Sequence, residues 1–172
     1  GVAFTEKGVT VGPNLRTSNR RVYAVGDVTG GLQFTHVAGA QAGVVIRQVL
    51  LGLPAKQAKV VPWVTYTDPE LAQVGLTEAQ ARKAHPAVQV IRQDFQHNDR
   101  AVTEAKAKGF LKLMLVKGRP VGATIVGPQA GELIGFWALA ISARVKLSAI
   151  AGTILPYPTL GEISKRAAGA YF

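Results

Sequence analysis

The chain has 172 residues, 48% of them hydrophobic, with twenty Lys and Arg against ten Asp and Glu for a formal charge of +10. That length and apolarity are enough to bury a core, which excludes intrinsic disorder, and the absence of cysteine excludes a disulfide framework, a thiolate metal site and dithiol chemistry by these residues alone. The bases lie singly or in pairs (Arg20-Arg21, Arg82-Lys83, Lys165-Arg166) with no helix carrying them on successive turns, so the charge describes a basic solvated surface and no nucleic-acid partner is expected.

In chain order, Gly1-Val2-Ala3-Phe4-Thr5-Glu6-Lys7 has neither an initiator Met nor a signal pattern and reads as a cut end. Gly8–Val11 and Arg21–Val25 are β-branched and aromatic runs that predict two strands, with Pro13-Asn14 turning the chain between them. The second stops at Gly26-Asp27. After Gly30-Gly31, apolar residues at Val37, Ala40, Val44, Val45 and Val49 predict a buried helix to Leu51, stopped by Gly52 and Pro54. The polar segment from Pro54 to Pro62 is the expected linker, dividing the chain into residues 1–58, the end of an α/β domain, and residues 59–172.

Beyond the linker the pattern becomes a meander. Trp63–Thr67 and Leu71–Gly75 are predicted strands around the turn Thr67-Asp68-Pro69-Glu70, and Thr77 is the expected cap of a short helix. Val88–Phe95, Phe110–Val116 and Val121–Gly127 predict three more strands, the last two closing an antiparallel hairpin at Lys117-Gly118-Arg119-Pro120. Helices are predicted from Gly131 to Arg144, apolar nearly all round and so buried, from Ser148 to Gly152, and from Leu160 to Ala168. Strands followed by helices predict an α+β domain with the helices on one side of an antiparallel sheet. The apolar stretch Gly135–Ala143 is stopped by Arg144 and falls short of the ~18 residues of a membrane span; no membrane partner and a cytoplasmic location are expected. His36, His85 and His97 are too irregularly spaced to suggest a metal site, and none is expected.

A strand that ends in Gly-Asp lets the backbone pass close to a ligand at its carboxyl edge, where an acidic side chain accepts hydrogen bonds from sugar hydroxyls; taken alone, Gly26-Asp27 reads equally as an ordinary turn. The whole string Thr17-Ser18-Asn19-Arg20-Arg21-Val22-Tyr23-Ala24-Val25-Gly26-Asp27 resembles the second flavin-binding motif of the pyridine nucleotide-disulfide oxidoreductases, the family of dihydrolipoamide dehydrogenase, glutathione reductase and mercuric reductase. The resemblance implies that Asp27 contacts the ribityl or pyrophosphate part of FAD, with Gly26 allowing the approach. It also implies that Phe34-Thr35-His36-Val37-Ala38 opens a helix whose N-terminal amides face the flavin ring, which makes His36, Val37 and Ala38 cofactor-binding candidates. For His36, a loop residue near the cofactor remains the other reading.

The similarity continues through the string from Pro62 to Glu78, which looks like the family's entry into its dimerisation domain. Asn98-Asp99-Arg100-Ala101, Gly122–Gly127 and Ala130–Ile134 also fit and lean toward the mercuric-reductase-like branch. At Pro156-Tyr157-Pro158-Thr159-Leu160-Gly161-Glu162 the sequence departs from the dihydrolipoamide dehydrogenases. There, the position before Pro-Thr holds a histidine that pairs with the later Glu and serves the other subunit's reactive thiol. Here it is Tyr157, with Glu162 retained, and a phenol of ordinary pKa near ~10 does not shuttle protons at neutral pH. Tyr157 and Glu162 are the catalytic candidates that the resemblance implies; packing between two prolines and a first-turn carboxylate that favours the helix dipole are the alternatives. No Gly-x-Gly-x-x-Gly fingerprint is present, so these residues would form half a flavin site and hold FAD weakly by themselves.

Two functions follow. One is the C-terminal part of a FAD-dependent NAD(P)H oxidoreductase of the disulfide reductase family, mercuric-reductase-like, a homodimer whose substrate is a small molecule, a dithiol or a metal ion. The other is a stand-alone dimerisation or binding module without catalysis.

Overall fold

The computed structural model describes residues 1–172, which divide into two compact units, Gly1–Lys59 and Val60–Phe172. In the first, β1 (Phe4–Thr5) and β2 (Gly8–Val9) form a minimal antiparallel hairpin. A single 3-10 turn at Gly26–Thr29 and a long helix, α1 (Thr35–Leu50), follow. Only one half of the predicted strand at Gly8–Val11 pairs. The predicted strand at Arg21–Val25 is absent: the one ladder element there is an isolated bridge between Tyr23 and Arg16. A β-branched run becomes a strand only beside an extended partner of matching length, and here the partner is the short stretch Leu15–Thr17: the Ala24 amide donates to the Leu15 carbonyl at 3.2 Å and the Val22 carbonyl accepts from the Thr17 amide at 3.1 Å. Gly30, at φ +68°, ends the 3-10 turn; its backbone lies so close to the Lys7 carbonyl that a side chain there would collide with it.

The second unit is built on a five-stranded, wholly antiparallel sheet in the order β3 (Trp63–Thr65), β4 (Glu70–Gly75), β7 (Arg119–Gly127), β6 (Phe110–Val116), β5 (Gln89–Asp94). Alternation along β6 buries Leu111, Leu113 and Leu115, which join Ala72, Val74, Ala123 and Ile125 in one apolar cluster with the helices α4 (Ala130–Ser142), α5 (Leu147–Ala151) and α6 (Glu162–Gly169). Lys112 alternates to the opposite face. There its ammonium donates to Glu78 Oε2 at 2.9 Å, and Glu78 opens α2 (Glu78–Ala84). Helices therefore flank both faces of the sheet rather than one, as the sequence had suggested. The Lys112 ammonium and the Arg82 guanidinium together hold the Glu78 carboxyl below the usual carboxylate range. Helix α2 starts in a reciprocal capping box: the Thr77 hydroxyl accepts from the Gln80 amide at 3.4 Å, and the Gln80 side chain accepts from the Thr77 amide at 2.9 Å.

Helix α4 buries one stripe, Ala130, Ile134, Trp137 and Ala140, and the Trp137 indole donates to Ser164 Oγ of α6 at 3.2 Å. Its other side is open. Leu139 is 69% exposed and Phe136 is also accessible, so the helix that the sequence reads as buried all round is buried on one side. No residue of this unit covers the second. A further one-turn helix, α3 (Asp99–Thr103), was not foreseen; Asn98 caps it, its Oδ1 accepting from the Ala101 amide at 3.0 Å. No helix is long and apolar enough to cross a membrane.

Candidate functional site

In the first unit the backbone assembles Asp27 and the start of α1. Gly26 sits at φ +73°, and a Cβ there would meet Ala38 Cβ at 3.3 Å. The absence of a side chain is thus what brings the 3-10 turn against the first turn of the helix. Both polar groups of Gly26 are engaged internally: its amide donates to Gln41 Oε1 at 2.7 Å, and its carbonyl accepts from the Thr29 hydroxyl at 2.8 Å. Gly26 therefore positions rather than binds, while the exposed Asp27 beside it carries the carboxylate. Gln41 is buried, and its amide nitrogen donates to Gln57 Oε1 at 3.1 Å. Sequence reading passed over this glutamine, which holds the turn in place from within the helix.

No side chain caps α1 at its N-cap, Phe34. The amides of Val37 and Ala38 turn back to the Phe34 carbonyl at 3.0 and 3.1 Å, and the His36 ring stacks on Phe34 with centroids 5.2 Å apart. A carboxylate acceptor beside a helix end without a side-chain cap is the donor and acceptor set that one part of a dinucleotide uses, hydroxyls on the carboxylate and partial negative charge on the helix end. Of the five cofactor-binding candidates, Asp27 and His36 present side chains outward, Gly26 serves as a spacer, and Val37 and Ala38 serve as the helix frame.

In the second unit Tyr157 and Glu162 are brought together by a constrained loop. Tyr157 is 69% exposed between Pro156 and Pro158. The Thr159 amide donates to Glu162 Oε2 at 3.2 Å, and the Thr159 hydroxyl donates to the Pro156 carbonyl at 2.9 Å. From outside the loop Asn98, 1% exposed, donates from Nδ2 to the Thr159 carbonyl at 3.0 Å. Asn98 thus ties α3 to the loop. Next to it, Asp99 faces both Tyr157 and Arg166, whose Nη2 lies 3.8 Å from Asp99 Oδ2. The Asp99 carboxylate raises the Tyr157 phenol above its ordinary value, with Glu162 adding to the effect and Arg166 opposing it. Glu162 divides its role, receiving the loop amide while its charge reaches the phenol. The sequence offers Tyr157 and Glu162 as candidates and does not single out Asn98, Asp99 and Arg166 as their neighbours, although Asn98-Asp99 lies within a string that resembles the family.

The chain resembles known proteins along nearly its whole length. Residues 61–168 match the model of the pyridine nucleotide-disulphide oxidoreductase dimerisation domain. Dihydrolipoyl dehydrogenase of Staphylococcus aureus is 37% identical over 98% of the chain, and dihydrolipoyl dehydrogenase 3 of Haloarcula marismortui is 38% identical over the same share. In each case the chain spans 36% of the relative, about a third of its length. Among solved structures, LpdA of Mycobacterium tuberculosis superposes with a TM-score of 0.92 at 28% identity, covering 100% of this chain and 38% of that one. The HOCl-induced flavoprotein disulfide reductase RclA of Escherichia coli superposes with a TM-score of 0.89, also at 28% identity, over 98% of this chain and 40% of that one. An antiparallel sheet flanked by helices, matched by family and by fold along nearly its whole length, identifies the chain as belonging to the pyridine nucleotide-disulphide oxidoreductases, with their dimerisation domain at residues 61–168.

Proposed function

We propose that these residues are the C-terminal third of a FAD-dependent NAD(P)H oxidoreductase, mercuric-reductase-like in its substrate, that works as a homodimer. The chemistry FAD supplies when bound is the relay of reducing equivalents from NAD(P)H to a dithiol. Asp27 would accept hydrogen bonds from the ribityl or pyrophosphate region, Gly26 would hold that carboxylate against the helix, and the first turn of α1 around His36, Val37 and Ala38 would face the flavin. The open side of α4, with Leu139 exposed, suits the two-fold contact, and the Pro156–Glu162 loop would then complete the partner's site.

The observation that carries the substrate reading is Tyr157 itself. The phenol stands where an imidazole would shuttle protons, and Asp99 raises it further from neutrality. Tyr157 therefore stays protonated through the physiological range, as a hydrogen-bonding group rather than an acid-base relay. That argues against lipoamide and for a substrate whose reduction asks no proton of this residue, such as a thiol-bound soft metal ion. The relatives named dihydrolipoyl dehydrogenase favour lipoamide as the second reading.

The test is to purify the intact protein from its source, record its visible spectrum and native size, and follow NAD(P)H oxidation with lipoamide or a thiol-complexed mercuric ion as acceptor. A flavin spectrum with turnover of the metal complex and little of lipoamide is the expected result. Fast lipoamide turnover would establish the second reading. A flavin-free protein of 18.2 kDa would leave a dimerisation module without catalysis.

A further inference from the structure

Away from Tyr157, the second unit gathers cations where two of its turns meet. The β6–β7 hairpin reverses on Lys117 and Gly118, at φ +50° and +68°. Two-residue loops of that hand favour Asn-Gly, and here the first place holds a lysine. At the end of α4 the Arg144 amide donates to the Ile141 carbonyl at 3.1 Å and the Val145 amide to the Ala140 carbonyl at 2.9 Å, with Arg144 at φ +53°. That pair of bonds is a Schellman cap, whose left-handed residue is ordinarily glycine. The two turns are joined: the Leu147 amide donates to the Gly118 carbonyl at 2.9 Å, and Arg119 Nη1 donates to the Arg144 carbonyl. Twice on one joined surface, therefore, a long basic side chain occupies a backbone position that glycine or asparagine would take with less strain.

Nothing in the unit neutralises these charges. Lys117, Arg144 and Lys146 are exposed, Arg119 is half-buried, and none of the four takes part in an ion pair. Between Glu104 and Glu162 the sole acidic residue is Glu132. It lies in the first turn of α4, about 18 Å of helix away from Arg144. We propose that Lys117, Arg119, Arg144 and Lys146 form a docking surface for an acidic segment of a partner protein, whose carboxylates supply the counter-charges that this face lacks. The negative end of α4 accounts for a cation at Arg144 and at Lys146, but not for Lys117, which stands on a hairpin. Four cations on two turns, with no helix carrying bases on successive turns, suit a short carboxylate-bearing segment better than a nucleic-acid backbone.

The test uses the intact protein and a fluorescein-labelled oligoglutamate, with binding read by fluorescence anisotropy at low and at physiological salt. Lys117→Asn with Arg144→Gly removes two charges and gives each backbone position a residue it favours. Lys106→Gln with Lys108→Gln removes two charges from the exposed loop before β6 and is the control. The expected result is an affinity lower by about fivefold or more in the first pair and by less than about twofold in the control. The urea midpoint of the first pair should equal or exceed that of the parent. Equal losses in both pairs would mean that the net charge of +10 attracts the probe at large, and would overturn the proposal. So would a parent that fails to bind oligoglutamate, or a lower urea midpoint in the first pair, which would make the cations part of the fold. A single-stranded oligonucleotide that binds more tightly than oligoglutamate, and weakens in the same pair, would overturn the acidic-protein assignment in favour of a phosphate backbone. Neither substrate nor reductant enters the assay, so the flavoenzyme reading stands or falls separately.

Discussion

The two units of this chain solve the problem of burial differently. Val60–Phe172 carries its own core: sheet residues and three helices share one cluster, down to a fully buried Trp137 whose indole nitrogen is satisfied by Ser164. Gly1–Lys59 has no comparable centre. Leu15 and Val37 are buried there, but Ile46, Val49, Leu50, Leu51 and Leu53, toward the end of α1 and just after it, remain exposed. The side chains of Gln41 and Gln48 hydrogen-bond α1 to Gly26, Gln57 and Asn14 of the same unit. The difference teaches where burial is completed within a unit and where it is not: Val60–Phe172 closes a core of its own, and Gly1–Lys59 leaves the apolar end of α1 exposed.

Substitutions sharpen the contrast. Trp137→Ala should cost about 3–5 kcal/mol, because it leaves a cavity between α4 and α6 and strands the Ser164 hydroxyl; denaturant unfolding followed by far-UV circular dichroism measures it. Thr77→Ala removes one half of the capping box of α2 and should cost about 1 kcal/mol by the same method. Leu50→Ser, at a position 74% exposed on α1, should change stability by less than about 0.5 kcal/mol. If Leu50→Ser proved as damaging as Trp137→Ala, the apolar end of α1 would be packed in solution and the contrast between the units would be lost.

Much of the second unit was legible because its signals are local. Phe110–Val116 matches the observed β6 residue for residue, since β-branched and leucine alternation ends at a short turn, and Thr77 declares itself as a cap by its own chemistry. Arg21–Val25 misled because strand formation depends on a partner that a run of β-formers does not carry with it. Helix α3 is five residues long, too short for any periodicity to show, and only the Asn98 side chain gives it away. The neighbours of Tyr157 were hidden for a geometric reason. Asp99 and Arg166 come from separate helices, and nothing but the folded sheet beneath them sets the two side chains 3.8 Å apart. The exposed side of α4 has the same lesson in reverse: apolar composition all round a helix states that both sides are destined for burial, without saying which molecule provides it.

The strand order β3-β4-β7-β6-β5 mixes pairings of very different sequence separation. The β6–β7 hairpin closes across the short Lys117-Gly118 turn, while β4 meets β7 only across a separation of roughly fifty residues, from Glu70 opposite Gly127 to Gly75 opposite Gly122, a loop whose closure entropy must be met before any of its pairs form. By sequence separation the hairpin, like the β3–β4 pair joined across Thr65 and Leu71, closes at lower entropic cost than the β4–β7 pairing. Wherever β4 is not paired, β7, the central strand of the finished sheet, is an edge strand with its amides and carbonyls open to another molecule's strand.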